Sequence, residues 1–200
     1  MKSQDSLYRW AIANWAKASL PMGGVLVLLS PLLARGIPME AVLIFLLLPV
    51  YMFHQYEEHA QGQFRAFVNK HIGRGREVFD DQDIFWINML GVWLINLVGL
   101  YLSVYVGLAN GLVLAYLTVV NGLLHVAIAI VLRAYNPGLW TGLLLFLPLG
   151  GFTLVAITEA TGAGLGQHVL ALGTAILLHV AIILYARQKL FLASGRGRRR

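Results

Sequence analysis

The chain has no cysteine and few charged residues, and both absences narrow what it can be. Without cysteine, it has no disulfide, no thiolate metal site and no cysteine nucleophile. Only 12% of its 200 residues are charged whereas 58% are hydrophobic, so the polar coat that a water-soluble core of this size needs is missing. The mean hydropathy of +0.72 therefore predicts an integral membrane protein.

Long apolar runs fill most of the chain. A transmembrane helix needs about 20 mostly apolar residues, and the sequence offers runs of that length repeatedly. It therefore predicts an all-α polytopic transmembrane bundle, a single domain over residues 1–200, with about six spans near 16–34, 38–60, 84–107, 109–132, 139–158 and 165–187. Because Pro21 and Pro31 interrupt the first run, a bundle of five spans is the alternative.

The basic residues are divided unequally between the two sides of this predicted bundle. Of the 15 Lys and Arg residues, all but Arg35 fall on one side, which includes the loop 61–83 and the basic tail 194–200. Cytoplasmic loops carry such an excess, so both termini are predicted to be cytoplasmic. Because these residues flank apolar runs and form no folded basic face, the net charge of +6 predicts membrane lipids and not nucleic acid as partners.

The second predicted span carries ionisable residues inside the apolar region, where such residues are costly and tend to be functional. His54, Glu57 and Glu58 share one helical face because they are spaced by three and four residues. His59 points away from His54 by about 140°. We expect His59 to be interfacial or solvated.

Two further spans place polar residues at a similar depth. The fourth span carries Asn121 and His125 one turn apart, and the sixth carries His179. Counted back from the basic residue that ends each span, both histidines lie about 12 Å inside the cytoplasmic boundary, and the polar residues of the second span lie about 10–16 Å inside. We therefore expect one polar layer near the cytoplasmic face.

A divalent cation is the expected content of this layer, because carboxylates and imidazoles are too costly to bury unpaired. His54 and Glu58 can bind one ion from a single helix. His125 and His179 can complete a four-coordinate site from facing helices. Zinc is the favoured ion, with iron or manganese as alternatives, and a hydrogen-bonded network without metal is the structural alternative.

Two polar side chains of the layer are not among the predicted metal ligands and could take part in the reaction. Glu57 is predicted to accept a proton from metal-bound water, like the glutamate beside the zinc ligands of metallopeptidases. Asn121 is predicted to polarise the substrate or to orient His125. The layer thus favours a membrane-embedded, metal-dependent hydrolase that acts on a lipid or another amphiphile from the cytoplasmic leaflet.

The polar run of the second span also carries a family resemblance. The run His-Gln-Tyr-Glu-Glu at 54–58 is followed by the helical His125 and by Tyr-Asn-Pro-Gly at 135–138. In this order the three features resemble the HXXEE-domain proteins, a prokaryotic membrane family of uncharacterised function. The resemblance extends from about residue 40 to the end and implies a prokaryotic plasma (inner) membrane. Tyr135 is either an interface anchor or a lid residue over the pocket, and is counted among the candidate catalytic residues.

Two other functions remain open. A dinuclear iron or manganese oxidase ranks second, because helical bundles of that kind usually supply four carboxylates and two histidines, whereas this layer has two carboxylates. A proton- or metal-coupled transporter ranks third. Transporters usually bind their substrate near mid-membrane between internal repeats, and no repeat is evident in this sequence.

Overall fold

The structure is a computed structural model that describes the backbone of residues 2–197 and the side chains of residues 6–192. The side chains of the predicted basic tail 194–200 lie outside the described residues. Within the described part, all regular elements are helical, and six helices are long and apolar enough to cross a membrane. The predicted all-α bundle with six spans is therefore confirmed.

Seven helices follow one another along the described chain, and all but the short third one are candidate spans. They are α1 (Lys2–Leu33), α2 (Met39–His59), α3 (Gln63–His71), α4 (Asp81–Tyr105), α5 (Leu108–Leu132), α6 (Leu139–Thr161) and α7 (Leu165–Gly197). If all six candidate spans cross the membrane, both ends of the described chain lie on the same side of it. The terminal helices α1 and α7 extend beyond the apolar runs that predict them.

Helix α2 lies at the centre of the bundle and packs against α1, α4, α5 and α6. In its most apolar stretch 61% of the residues are buried inside the protein, against 11% in α7. Only a central helix has neighbours on most of its sides, so polar residues on α2 are shielded from lipid. The polar run at the end of α2 is therefore enclosed by protein.

Helices α5 and α6 approach each other to backbone contact. A Cβ added at Gly122 would lie 2.9 Å from the carbonyl oxygen of Gly142, closer than real Cβ atoms come. Small residues allow such close packing in membranes. A π-helical turn, Gly142–Phe146, follows in α6 and turns Phe146 onto the His54 ring, with ring centroids 4.4 Å apart.

The end of α4 that follows the loop is fixed by polar contacts. Asp80 and Asp83 form a capping box in which the side chain of each accepts from the backbone N–H of the other at 2.9 Å. Arg65 pairs with Glu77 and Asp81, and Lys189 pairs with Asp80 and Asp83. These contacts tie the loop to α3 and to α7.

Candidate metal centre

Three ionisable side chains converge where α2 and α5 meet. His54 and Glu58 come from α2 and His125 from α5, and one potential ligand atom of each lies within 4.8 Å of the others. The residues are only 1%, 9% and 8% exposed, respectively. His54 Nε2 lies 3.5 Å from Glu58 Oε2, and His125 Nε2 lies 3.8 Å from Glu58 Oε1. We call these three residues the metal group.

The contacts of His54 determine which of its nitrogens carries the proton. The hydroxyl of Thr141 donates to Glu57 Oε2 at 2.5 Å, so the Thr141 oxygen accepts from His54 Nδ1 at 2.8 Å. With the proton on Nδ1, Nε2 of His54 presents a lone pair. This Nε2 is buried and has no hydrogen-bond partner among the described residues.

The second imidazole is held in the same tautomer by another side chain. Asn136 Nδ2 donates to the backbone carbonyl of His125 at 2.9 Å, which turns its Oδ1 toward the ring. That Oδ1 accepts from His125 Nδ1 at 2.6 Å. His125 therefore also directs an unprotonated Nε2 toward Glu58. Hydrogen bonds of this kind orient histidine ligands in metal sites.

The result is a buried cluster of acceptors with no donor between the two imidazoles and the Glu58 carboxylate. Such an arrangement is costly unless a metal ion or a proton lies among the three groups. Ligand atoms about 2.0–2.1 Å from a tetrahedral ion are about 3.3–3.4 Å apart. The contacts of 3.5 and 3.8 Å are slightly longer and end on different oxygens of Glu58, and one ligand atom of each residue lies within 4.8 Å of the others. The three residues could therefore hold a divalent metal ion.

Glu58 has a further partner that the sequence does not reveal. His59 Nε2 donates to Glu58 Oε2 at 3.0 Å, and the His59 side chain is only 6% exposed. His59 is therefore not solvated, and its expected position at the membrane interface stays a prediction. Trp15 and Phe64 pack against its ring and shield it, with centroids 5.3 and 4.9 Å away.

The Glu57 carboxylate accepts hydrogen bonds from the start of α6 and from the loop before it. Its Oε1 accepts from the Tyr135 hydroxyl at 3.0 Å and from the backbone N–H of Trp140 at 3.1 Å. Its Oε2 accepts from the backbone N–H and the hydroxyl of Thr141 at 2.8 and 2.5 Å. A carboxylate at a helix N-terminus satisfies N–H groups that have no partner within the helix. Partial burial, followed by the hydrogen bond to Glu57, raises the pKa of Tyr135 to about 12.

The connection between α5 and α6 closes the site through three of its four motif residues. Tyr135 contacts Glu57, and Asn136 holds His125. Gly138 has φ +93, and a Cβ there would lie 2.5 Å from His54 Cε1 and 2.7 Å from His125 Cε1. Only glycine fits both the backbone conformation and the space beside the imidazoles.

Two of the predicted site residues lie apart from the metal group. His179 Nδ1 donates to the carbonyl of Ala175 in its own helix at 2.8 Å, and Asn121 lies with His179 on another cavity. The structure thus brings together three of the four predicted metal ligands and leaves His179 out. Two residues that orient the imidazoles, Thr141 and Asn136, were not predicted from the sequence. Only Asn136 could have been found there, because it lies inside the Tyr-Asn-Pro-Gly motif.

Comparison with known proteins identifies the family to which the segment with these residues is similar. The family described as "Protein of unknown function with HXXEE motif" matches residues 45–153, more than half of the chain. No curated protein and no solved structure matches the chain. The matched segment contains the whole metal group together with Asn136 and Thr141, so the resemblance predicted from the motifs is confirmed.

Proposed function

We propose that this chain, which belongs to the family of proteins of unknown function with an HXXEE motif, binds a divalent metal ion and uses it in catalysis. The ligands are His54, Glu58 and His125. The observation that carries the proposal is the buried Nε2 of His54, which has no hydrogen-bond partner among the described residues and faces the other two groups. The family description names no reaction, so the chemistry rests on the geometry of the site.

The number of ligands favours a catalytic over a structural role for the metal. Structural zinc sites are closed by four protein ligands, whereas catalytic sites have three and leave a position open for water or substrate. Two histidines and one glutamate form the metal group, a ligand set that catalytic zinc sites use. We therefore favour zinc, with iron or manganese as alternatives, and hydrolysis as the reaction.

Different residues of the chain would orient the three ligands around the ion. A bound divalent cation supplies Lewis-acid activation of water. Thr141 and Asn136 fix the two imidazoles with Nε2 directed inward, and His59 orients the Glu58 carboxylate. The role of Glu57 as a general base stays a prediction, because its carboxylate accepts four hydrogen bonds in this structure.

The substrate class follows from the setting of the site. The metal group lies near the end of α2, which ends at His59, within a helix that is apolar enough to cross a membrane. A substrate that reaches it from the bilayer must itself be a lipid or another amphiphile. We propose that the site lies at the cytoplasmic face, because the basic residues flank the spans on that side, and the family resemblance implies a plasma (inner) membrane.

Metal analysis of the detergent-purified protein by mass spectrometry tests the proposal. We expect about one zinc per chain in the wild type, and loss of that zinc in His54→Ala and in His125→Ala. His168→Ala is the matched control, because His168 bonds Tyr116 and Thr158 away from the metal group and its loss should leave the metal in place. A wild type that neither retains nor takes up a divalent ion would contradict the proposal.

The dinuclear oxidase is less well supported by the same geometry. The metal group contains one carboxylate, because Glu57 faces the start of α6 and is not part of it. Dinuclear carboxylate sites usually have four such groups to bridge and bind two ions. Two irons per chain in the metal analysis, with a visible oxo-iron absorption band, would reverse this order. Metal-dependent uptake in sealed proteoliposomes would instead favour the transporter.

A further inference from the structure

A second cavity lies between α4 and α7, apart from the metal group. Its volume is about 550 Å³, and its floor is formed by Tyr51 of α2 and by Leu117 and Asn121 of α5. Sites for small organic ligands have volumes of about 300–1,000 Å³. The cavity is therefore large enough for a single-chain amphiphile.

The walls of this cavity are mainly apolar, although the polar side chains of Asp80, Gln82 and Asp83 also line it. The π-helical turn Met89–Leu94 of α4 supplies one wall, and Leu178 and Ile182 of α7 supply the other. In the described part of the chain, α4 and α7 pack only weakly against each other. Their polar contact is at one end, where Asp83 accepts from Tyr185 at 2.6 Å and pairs with Lys189. Beyond this contact the gap between the helices gives an apolar chain a way in.

The floor of the cavity offers one hydrogen-bond acceptor that the protein does not use. His179 donates from Nδ1 to the Ala175 carbonyl, so its Nε2 presents a lone pair, and the side chain lines the cavity. Asn121 also lines the cavity, but its Oδ1 is enclosed by protein and cannot be reached from the cavity. Nε2 of His179 is therefore the acceptor that a donor in this cavity can reach.

We propose that the cavity binds a single-chain amphiphile with a hydroxyl group, which donates to Nε2 of His179 while its apolar chain lies between α4 and α7. A hydroxyl supplies the donor without charge, whereas an ammonium group would lose its hydration beside His179 and would have to compete with Lys189 for Asp80 and Asp83, which also line the cavity. A carboxylate or phosphate would face the lone pair of His179 and the carboxylates of Asp80 and Asp83. The proposal does not depend on the metal, since Tyr51 lies between the cavity and His54.

Binding of tritiated 1-dodecanol to the full chain in nanodiscs tests this site, with dodecyl methyl ether as the probe that lacks the donor. We expect saturable binding of the alcohol, about tenfold tighter than that of the ether, since one hydrogen bond in a buried site is worth about that factor. His179→Leu, which keeps a similar volume and removes the acceptor, should weaken alcohol binding by about tenfold.

A matched pair of glycine substitutions tests the location. Gly91 lines the cavity, and a Cβ added there meets no atom within 4 Å, so Gly91→Leu should fill the cavity and abolish binding without a clash. Gly151 is equally open but lies in α6 outside the cavity, so Gly151→Leu should leave binding unchanged.

Three outcomes would overturn the inference. Equal binding of the alcohol and the ether would mean that no hydroxyl is recognised, and so would an unaffected His179→Leu. Equal effects of Gly91→Leu and Gly151→Leu would place the ligand elsewhere. Removal of metal with a chelator should leave binding intact, which separates this result from a failure of the metal proposal.

Discussion

Two buried histidines of this protein show how neighbouring atoms decide what an imidazole can do. His54 and His179 both lie within membrane-spanning helices, and both have Nδ1 engaged as a donor. Nε2 of His54 faces a carboxylate and a second imidazole, whereas His179 lines an apolar cavity. The first environment could hold a cation, whereas the second suits the neutral donor that we propose for the cavity, although the two residues look alike in the sequence.

Gly138 gives a direct test of the space beside the imidazoles. Gly138→Ala adds a Cβ about 2.5 Å from His54 Cε1, so the rings must move apart, and we expect the bound metal to be lost. Mass spectrometry of the purified variant measures this loss. Gly162→Ala is the control, because Gly162 also has a positive φ, +65, but a Cβ there meets nothing within 4 Å. If both variants kept their metal, the imidazoles would not need the position that Gly138 allows.

Thr141 tests whether holding the His54 tautomer matters for metal affinity. Thr141→Val removes the oxygen that accepts from Nδ1 and keeps the shape of the side chain. Loss of such an orienting group typically lowers metal affinity by about 10–100-fold, which a competition titration with a chromogenic chelator can measure. Thr141→Ser should restore most of the affinity.

Thr153→Val is the matched control for that titration. Thr153 is fully buried in the same helix, but its hydroxyl donates only to the carbonyl of Leu149 at 2.7 Å. Its replacement should leave the affinity for metal unchanged. Equal affinities in Thr141→Val and Thr153→Val would show that His54 does not need its hydroxyl partner.

At the scale of elements, the metal centre depends on where α6 begins. The carboxylate of Glu57 in α2 receives the first N–H groups of α6, from Trp140 and Thr141. The same contact sets the position of the Thr141 hydroxyl against His54. One glutamate therefore joins the end of one helix to the start of another, and the second histidine-holding residue, Asn136, lies in the connection between them.

Glu57→Gln should weaken this contact between α2 and the N-terminus of α6. The substitution removes the negative charge that faces the α6 N-terminus, an interaction worth about 0.3–1 kcal/mol, and up to about 2 kcal/mol where it is partly buried. A chain of this size loses about 2–4 °C in Tm per kcal/mol, so we expect Tm in detergent to fall by a few degrees. Glu159→Gln, at an exposed position near the end of the same helix, should not lower Tm. An unchanged Tm in both variants would show that the contact of Glu57 with the N-terminus of α6 does not stabilise the protein.

The parts of the site that the sequence predicts are those on continuous helices. His54 and Glu58 are one turn apart on α2, so helical spacing alone places them together, and depth brings His125 near them. Thr141 and His59 could not be predicted in this way. Their contacts depend on where α6 starts and on how α1 and α3 shield the end of α2, which spacing within one helix does not encode. His179 matches in depth but not in direction, because depth does not fix which side of α7 faces the centre.

At the scale of the whole molecule, hydropathy predicts the spans because a membrane helix must satisfy its backbone groups internally and cover itself with apolar side chains. The six apolar runs accordingly correspond to six helices. The π-helical turns Met89–Leu94 and Gly142–Phe146 leave no such signal. Gly142–Phe146 lies beside the metal group, and Met89–Leu94 lines the second cavity.

The orientation of the bundle in the membrane is a prediction about the whole molecule. Because the chain has no cysteine, single introduced cysteines can be labelled to test it. Gln61 follows α2 and Gly36 precedes it, and both are exposed. If the basic side is cytoplasmic, Gly36→Cys should react with a membrane-impermeant maleimide in intact cells, and Gln61→Cys only after the cells are opened. The reverse pattern would place both termini and the metal centre outside. Because the metal group lies near the end of α2 that leads to Gln61, the same labelling decides from which leaflet a substrate reaches it.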